Sequence, residues 1–153
     1  MPSEIDLFRE YLNSKDDADI GLPATAEEIA AFEEYHGIRF PADLREYFLK
    51  INGVDDWGGF IVLEPLYNWC RLPEYEYSHP ERVRENLADA DQYFRFGGYD
   101  IIKWDWSISL SANPDDSTPV ISTLQGSQAK IVGESFSDFL HKYRVGHIED
   151  LLA

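Results

Sequence analysis

Between Ile102 and Ser111 apolar and polar side chains change places at every step: Ile102, Trp104, Trp106, Ile108 and Leu110 alternate with Lys103, Asp105, Ser107, Ser109 and Ser111. Successive side chains of a strand leave on opposite faces, so this period of two predicts a strand with one apolar face and one wet face. The apolar face must be buried against another layer. Parallel sheets are covered on both sides and read as unbroken apolar runs, so the alternation predicts an antiparallel sheet with helices on one side.

The helices are announced by their ends. Ser3-Glu4-Ile5-Asp6 is an N-cap followed by an acid, and predicts a helix to about Asn13 with Ile5, Phe8 and Leu12 inward and Tyr11 flanking. Lys15 to Ile20 reads as a solvated loop. Thr25-Ala26-Glu27-Glu28 is a capping box; its helix puts Ile29, Phe32 and Tyr35 or His36 on one stripe and ends at Gly37. Phe40-Pro41 opens a third helix with Leu44, Tyr47, Phe48 and Ile51 buried, closed by Asn52-Gly53.

Phe60 to Leu63 is a short apolar run between Gly58-Gly59 and Pro65, as expected of a buried strand. Tyr67 to His79 has no period and reads as a long ordered loop. Pro80 opens a fourth helix to about Tyr93, with Val83, Leu87 and Ala90 inward. Asn113-Pro114-Asp115-Asp116 is a turn, Pro119–Leu124 and Ala129–Val132 are short strands around Gly126, and Ser135 caps a last helix with the stripe Phe136, Phe139, Leu140 and Tyr143. With no repeat or linker, residues 1–153 predict a single α+β domain: a twisted antiparallel sheet packed against several helices.

Charge narrows the partners. Twenty-nine acids face thirteen bases, a formal net charge of −16, with 14 acids and 5 bases in residues 1–60 and 15 and 8 in the remainder. Such a field repels nucleic acid and anionic membrane and draws in basic partners. Acidity that serves solubility alone is the plainer explanation. The start, Met1-Pro2-Ser3-Glu4, shows no basic n-region or apolar h-region, and no apolar run is long enough to span a bilayer, so a cytoplasmic protein is expected.

Chemistry is hard to find. His36, His79, His141 and His147 form no metal-binding spacing, Cys70 is the single cysteine, and there is no nucleophile elbow, Walker loop or dinucleotide glycine pattern. Gly58-Gly59 and Gly97-Gly98 read as tight turns. No catalytic residue, cofactor or metal is expected. Paired acids beside aromatics, Asp55-Asp56-Trp57 and Glu74-Tyr75-Glu76-Tyr77, raise a carbohydrate-active hydrolase as a remote alternative.

The same clusters make a protein contact surface. Acids interleaved with Tyr and Trp combine rigid contact area with charge complementary to a basic protein. The candidates are Asp55, Asp56, Trp57, Tyr67, Trp69, Glu74, Tyr75, Glu76 and Tyr77, with Asp115 and Asp116 in the later turn. For Trp57 and Trp69 each taken alone a core position is the favoured reading, with the acids as loop solvation. The Glu74–Tyr77 run reads as interface, because alternating Glu and Tyr outside a helix has no evident packing purpose.

The pattern Ile29-x2-Phe32-Glu33-x3-Gly37-Ile38-x-Phe40-Pro41-x-Asp43-Leu44-x3-Phe48-x3-Asn52-Gly53 resembles the N-terminal signature of the SUKH superfamily, and Ser135-Phe136-Ser137-Asp138-Phe139-Leu140 resembles its closing helix. Val54 stands where members often carry a second glycine, and Gly98-Tyr99-Asp100 represents the mid-sheet Gly-Asp-aromatic run. The resemblance, over residues 24 to about 145, implies a helix-and-antiparallel-sheet domain without catalysis. It implies either an immunity protein that neutralises a cognate toxin, often a nuclease, or a regulatory interaction module; the net charge of −16 separately suggests that such a toxin is basic.

Overall fold

In the computed structural model, which describes residues 1–75, 80–99, 104–124 and 129–152, three helices start where their capping residues place them. The helices are α1 (Glu4–Asn13), α2 (Ala26–His36), α3 (Ala42–Lys50), α4 (Pro80–Asn86) and α5 (Phe136–Val145). Ser3 Oγ accepts the Asp6 N–H at 3.1 Å and Asp6 accepts the Ser3 N–H in return; Thr25 and Glu28 repeat the exchange ahead of α2. Ser135 Oγ caps α5 by accepting the Asp138 N–H. Gly37 ends α2 at φ 66°, a left-handed conformation that costs an L side chain roughly 1–2 kcal/mol.

Among the described residues eight strands form one antiparallel sheet. They are β1 (Ala18–Ile20), β2 (Val54–Asp56), β3 (Ile61–Leu63), β4 (Cys70–Arg71), β5 (Tyr93–Tyr99), β6 (Trp104–Ser109), β7 (Val120–Leu124) and β8 (Ala129–Gly133). The order is β1-β2-β3-β5-β6-β7-β8, and β4 pairs with β5 on the flank that β3 also uses. Rows of cross-strand partners run the full width. One row, Ile20–Val54–Leu63–Gly97–Trp106–Ser122–Lys130, belongs to the core face. The next, Asp19–Asp55–Val62–Gly98–Asp105–Thr123–Ala129, belongs to the back face.

The helices α1, α3 and α5 supply the apolar layer over the core face. Trp69 is buried at 4% exposure, its ring 4.9 Å from Phe48 and 5.4 Å from Phe96, with its Nε1–H donating to the Glu64 carbonyl at 2.9 Å. Trp106 is fully buried and donates to the Leu151 carbonyl at 2.6 Å. An indole is well accommodated in a core when its N–H finds an acceptor, and both do. Arg144 grips Glu4 with two hydrogen bonds, at 2.9 and 3.1 Å, joining the C-terminal helix to the N-terminal one.

Several expectations are corrected. The alternating strand does not turn its polar face to water: Asp105 and Ser107 are buried, at 7% and 0% exposure. The back of β5–β7 is covered by α4 and by 3₁₀ turns at Leu72–Glu74 and Ala90–Gln92, whose Leu72, Val83 and Ala90 cluster with Tyr93 and Ile121. Helices therefore cover part of both faces. Ile102 and Lys103, the first residues of that alternation, lie outside the described residues.

The fourth helix stops at Asn86, and Tyr93 begins β5, which was not expected. Gly97 and Gly98 lie in that strand and not in a turn. A Cβ on Gly97 would meet the Val62 carbonyl at 2.6 Å, and one on Gly98 the Trp104 carbonyl at 2.8 Å, so glycine is what lets the strands close up here. Ala18–Ile20, expected as loop, is the edge strand β1, and Cys70–Arg71 is a short strand within the expected loop.

Trp69→Ala should lower stability by about 3–5 kcal/mol, as for other buried large-to-small truncations, while Trp57→Ala, at a 57% exposed position, should stay within about 0.5 kcal/mol. Urea denaturation of the two variants checks this, and equal losses would contradict the assignment of only one indole to the core.

Candidate functional site

The polar residues of the N-terminal signature hold elements together. Glu33 is buried at 8% exposure; its carboxylate accepts the Phe40 N–H at 2.7 Å and two bonds from Arg45, so it pins the α2–α3 connection. Asp43 Oδ2 accepts both the backbone N–H and the hydroxyl of Ser137, at 3.0 and 2.9 Å, docking α3 on α5. Asn52, at φ 51°, donates to the Leu22 carbonyl and accepts the Leu66 N–H, both at 2.8 Å. Glu33 and Asn52 are buried and Asp43 is half-buried, and all three are engaged within the fold.

The predicted surface residues divide. Asp56 is buried at 1% exposure, where it accepts from Lys15 at 3.0 Å and from the Tyr143 hydroxyl at 2.6 Å. Burial first, and then the Asp56 carboxylate, push the Tyr143 phenol pKa far up. Asp56 and Trp69 are therefore corrected from contact surface to structure. Tyr75 has a packing purpose after all: its half-buried ring lies 4.1 Å from the Arg95 guanidinium, which is held by Asp105 at 3.1 Å and Glu64 at 3.6 Å. Glu74 is exposed beside it, and Glu76 and Tyr77 lie outside the described residues.

The remaining candidates are exposed but do not form one patch. Asp115 and Asp116 sit in the β6–β7 connection, where Asp116 accepts from Ser111 Oγ at 2.6 Å. The register places that connection at the opposite end of the sheet from the β2–β3 turn that carries Trp57. Cys70 is half-buried, and burial pushes its thiol pKa up, which disfavours the nucleophilic thiolate. Among the described residues no group of three His, Cys, Asp or Glu is arranged to hold a metal ion, and no helix is long and apolar enough to cross a membrane.

Asp55 and Tyr67 do meet, in a groove of about 520 Å³ on the part of the back face that α4 leaves bare. Its floor is Val62 and the backbone of Gly21 and Gly53, and one end is walled by Leu22, Pro23 and Pro65. Leu22 and Tyr67 stand 87% and 80% exposed on the rim. Among the described residues the ionisable lining is Asp19, Glu28, Asp55 and the Tyr67 phenol, with no Lys, Arg or His. Asp19 and Asp55 are direct cross-strand partners, so two carboxylates project side by side from the same face, with Cβ atoms about 5 Å apart. Sequence reasoning missed Asp19 and Glu28. The first was taken as loop, and the second does double duty as the capping acid of α2.

A second hollow, of about 380 Å³, opens around Lys15, Asp56 and Tyr143. There the polar groups satisfy one another, and the Gly59 N–H adds a further bond to Asp56 at 3.3 Å. It reads as the wall of a buried ion pair. Asp55 and its neighbour Asp56 leave β2 on opposite faces, so they do not form the carboxylate pair that a hydrolase would need.

An antiparallel sheet under three helices, half covered behind, with its signature acids and amide turned inward as ties, defines a SUKH-type α+β domain. More narrowly, the chain belongs to the SMI1 / KNR4 family (SUKH-1), whose model matches residues 23–142. Members of this family are generally non-enzymatic and point to protein–protein interaction. No curated protein matches the chain.

Like charges directly opposed on a sheet destabilise it, so relieving the Asp19–Asp55 pair should help the free protein. Asp55→Asn is expected to raise stability by about 0.2–1 kcal/mol at low salt, with the gain shrinking as ionic strength screens the pair. Urea midpoints at two salt concentrations check it; a loss of stability would show that a cation already balances the two acids.

Proposed function

We propose that this chain is a non-enzymatic immunity protein that binds a basic toxin domain through the acid-lined groove and thereby covers the toxin's cationic working surface. It acts in the cytoplasm of the cell that makes it. The observation that carries the reading is the like-charged pair Asp19 and Asp55, set with Glu28 around an apolar floor and accompanied by no cation among the described lining residues. Two opposed carboxylates are a standing cost to the free fold, and a basic partner removes it.

Long-range and local electrostatics support the same reading. A net charge of −16 speeds encounter with a cationic surface, and the groove supplies the close contact that holds it. Leu22 and Tyr67, with Trp57 at the neighbouring hairpin tip, provide exposed apolar area of the kind that anchors interfaces. If the toxin is a nuclease, the carboxylates of the groove stand where substrate phosphates would otherwise lie.

The test pairs binding with protection. The double variant Asp19→Lys, Asp55→Lys reverses the groove without touching the α2 capping box, and Asp115→Lys, Asp116→Lys reverses as much charge at the far end of the sheet. The expected result is capture of one basic toxin fragment whose activity the wild type blocks, with affinity reduced about 100-fold or more by the first pair and little changed by the second. Equal binding by wild type and the first variant would defeat the reading. Recovery of several unrelated proteins and no toxin would favour the regulatory module instead.

A further inference from the structure

The outer edge of β1 has a chemistry that the groove alone does not express. In an antiparallel ladder alternate residues turn their backbone N–H and C=O toward the partner strand or away from it. The Gly21 N–H donates to the Gly53 carbonyl at 2.8 Å, which makes that a hydrogen-bonded pair. Two residues back along the same register, Asp19 and Asp55 form the next such pair. Ala18 and Ile20 therefore direct their backbone groups away from the sheet, at an edge that no other described strand occupies. Their side chains are half-buried against the core, while Asp19 stands on the opposite face with Asp55 beside it.

We propose that this edge receives an extended segment of the basic partner, which adds to β1 as a further strand with the pattern apolar–basic–apolar. Backbone hydrogen bonds to Ala18 and Ile20 supply the attachment, and alternate side chains supply the selection. The residue opposite Asp19 falls on the back face next to two carboxylates, where a Lys or Arg relieves their repulsion. The residues opposite Ala18 and Ile20 fall on the core face, where apolar side chains complete the burial of those two.

A second copy of this chain does not fit. Pairing β1 with another β1 in antiparallel register sets Asp19 against Asp19. Pairing β1 with the other sheet edge, β8, so that the two core faces are continuous leaves Asp19 unpaired, since Lys130 shares its row with Trp106 on the core face, whereas Asp19 is on the back face. A charged side chain on a short edge strand is a known guard against indiscriminate pairing, and here the exposed Asp19 rejects neutral and acidic strands while admitting a cationic one.

The inference rests on the reading of the groove as a basic contact face and is tested apart from it. The probe is a capped pentapeptide alternating valine and lysine, with two companions: one N-methylated at alternate backbone nitrogens, one with glutamate for lysine. Each is titrated into the full chain while NMR follows amide exchange. The expected result is at least about tenfold slower exchange at Ala18 and Ile20 with the parent peptide, about tenfold weaker binding after N-methylation, similar weakening by Asp19→Asn, and no binding of the glutamate peptide. Salt-sensitive binding that N-methylation leaves unchanged would overturn strand addition and keep the acidic contact face. Absence of parent-peptide binding at millimolar concentration would overturn the inference, as would protection of Ala18 and Ile20 that rises with protein concentration alone. Failure of the immunity reading itself is read separately, from the charge-reversed variant against the whole toxin.

Discussion

The frame of the groove depends on one amide. Asn52 sits at the end of α3 with φ 51°, a left-handed conformation that Asn tolerates better than most residues, and it is 7% exposed. Its Nδ2 donates to the Leu22 carbonyl and its Oδ1 accepts the Leu66 N–H. Those two bonds fasten the segment before α2 and the segment after β3 to the same point. Without them two backbone groups would be left unpaired in a largely dry site, at about 1–3 kcal/mol each. Leu22 and Tyr67, the apolar rims, are carried on the segments that Asn52 fastens.

Acidity in this chain has two separate uses, and burial sorts them. Glu33, Asp56 and Asp105 are buried and each faces a cation: Arg45, Lys15 and Arg95 respectively. Asp43 ties two helices through Ser137. Removing one partner of such a pair leaves an uncompensated buried group, so these acids are held by the fold. Asp19 and Asp55 have the opposite character: exposed, and set against each other. Their position lowers the stability of the isolated domain, so what retains them is to be sought in binding.

Much of the helical layer was legible because capping chemistry is local. Ser3, Thr25 and Ser135 each specify a helix start through a partner three residues away, and Gly37 specifies an end through its own φ. The strands were legible where apolar and polar residues alternate, as in β6, or where a short apolar run is bounded by Gly and Pro, as in β3. β5 is buried on both faces, so its residues Tyr93–Gly98 show no alternation, and its two glycines answer to carbonyls on the neighbouring strands, of Val62 in β3 and Trp104 in β6. β1 is three residues long with Asp at its centre, and nothing short of its pairing with β2 makes it a strand. Asp19 was missed for that reason. Asp56 and Trp69 were misplaced on the surface because only tertiary contacts, with Lys15 and Tyr143 and with Phe48 and Phe96, put them inside.

The proposed contact face divides its labour between strand and loop. The two carboxylates are fixed in spacing by the β1–β2 register, so the electrostatic element of the face has little freedom. The rim is different: Leu22, Tyr67 and Trp57 lie outside regular strands and project mostly into solvent. Substitutions at such positions usually change stability by less than about 0.5 kcal/mol, since they open no cavity and strand no polar group. Charge attraction is tolerant of sequence, whereas apolar contacts depend on shape. On the proposed reading, a face whose charge is set by the sheet and whose shape is set by loops would keep a preference for basic proteins while leaving the choice among them to residues the fold does not need.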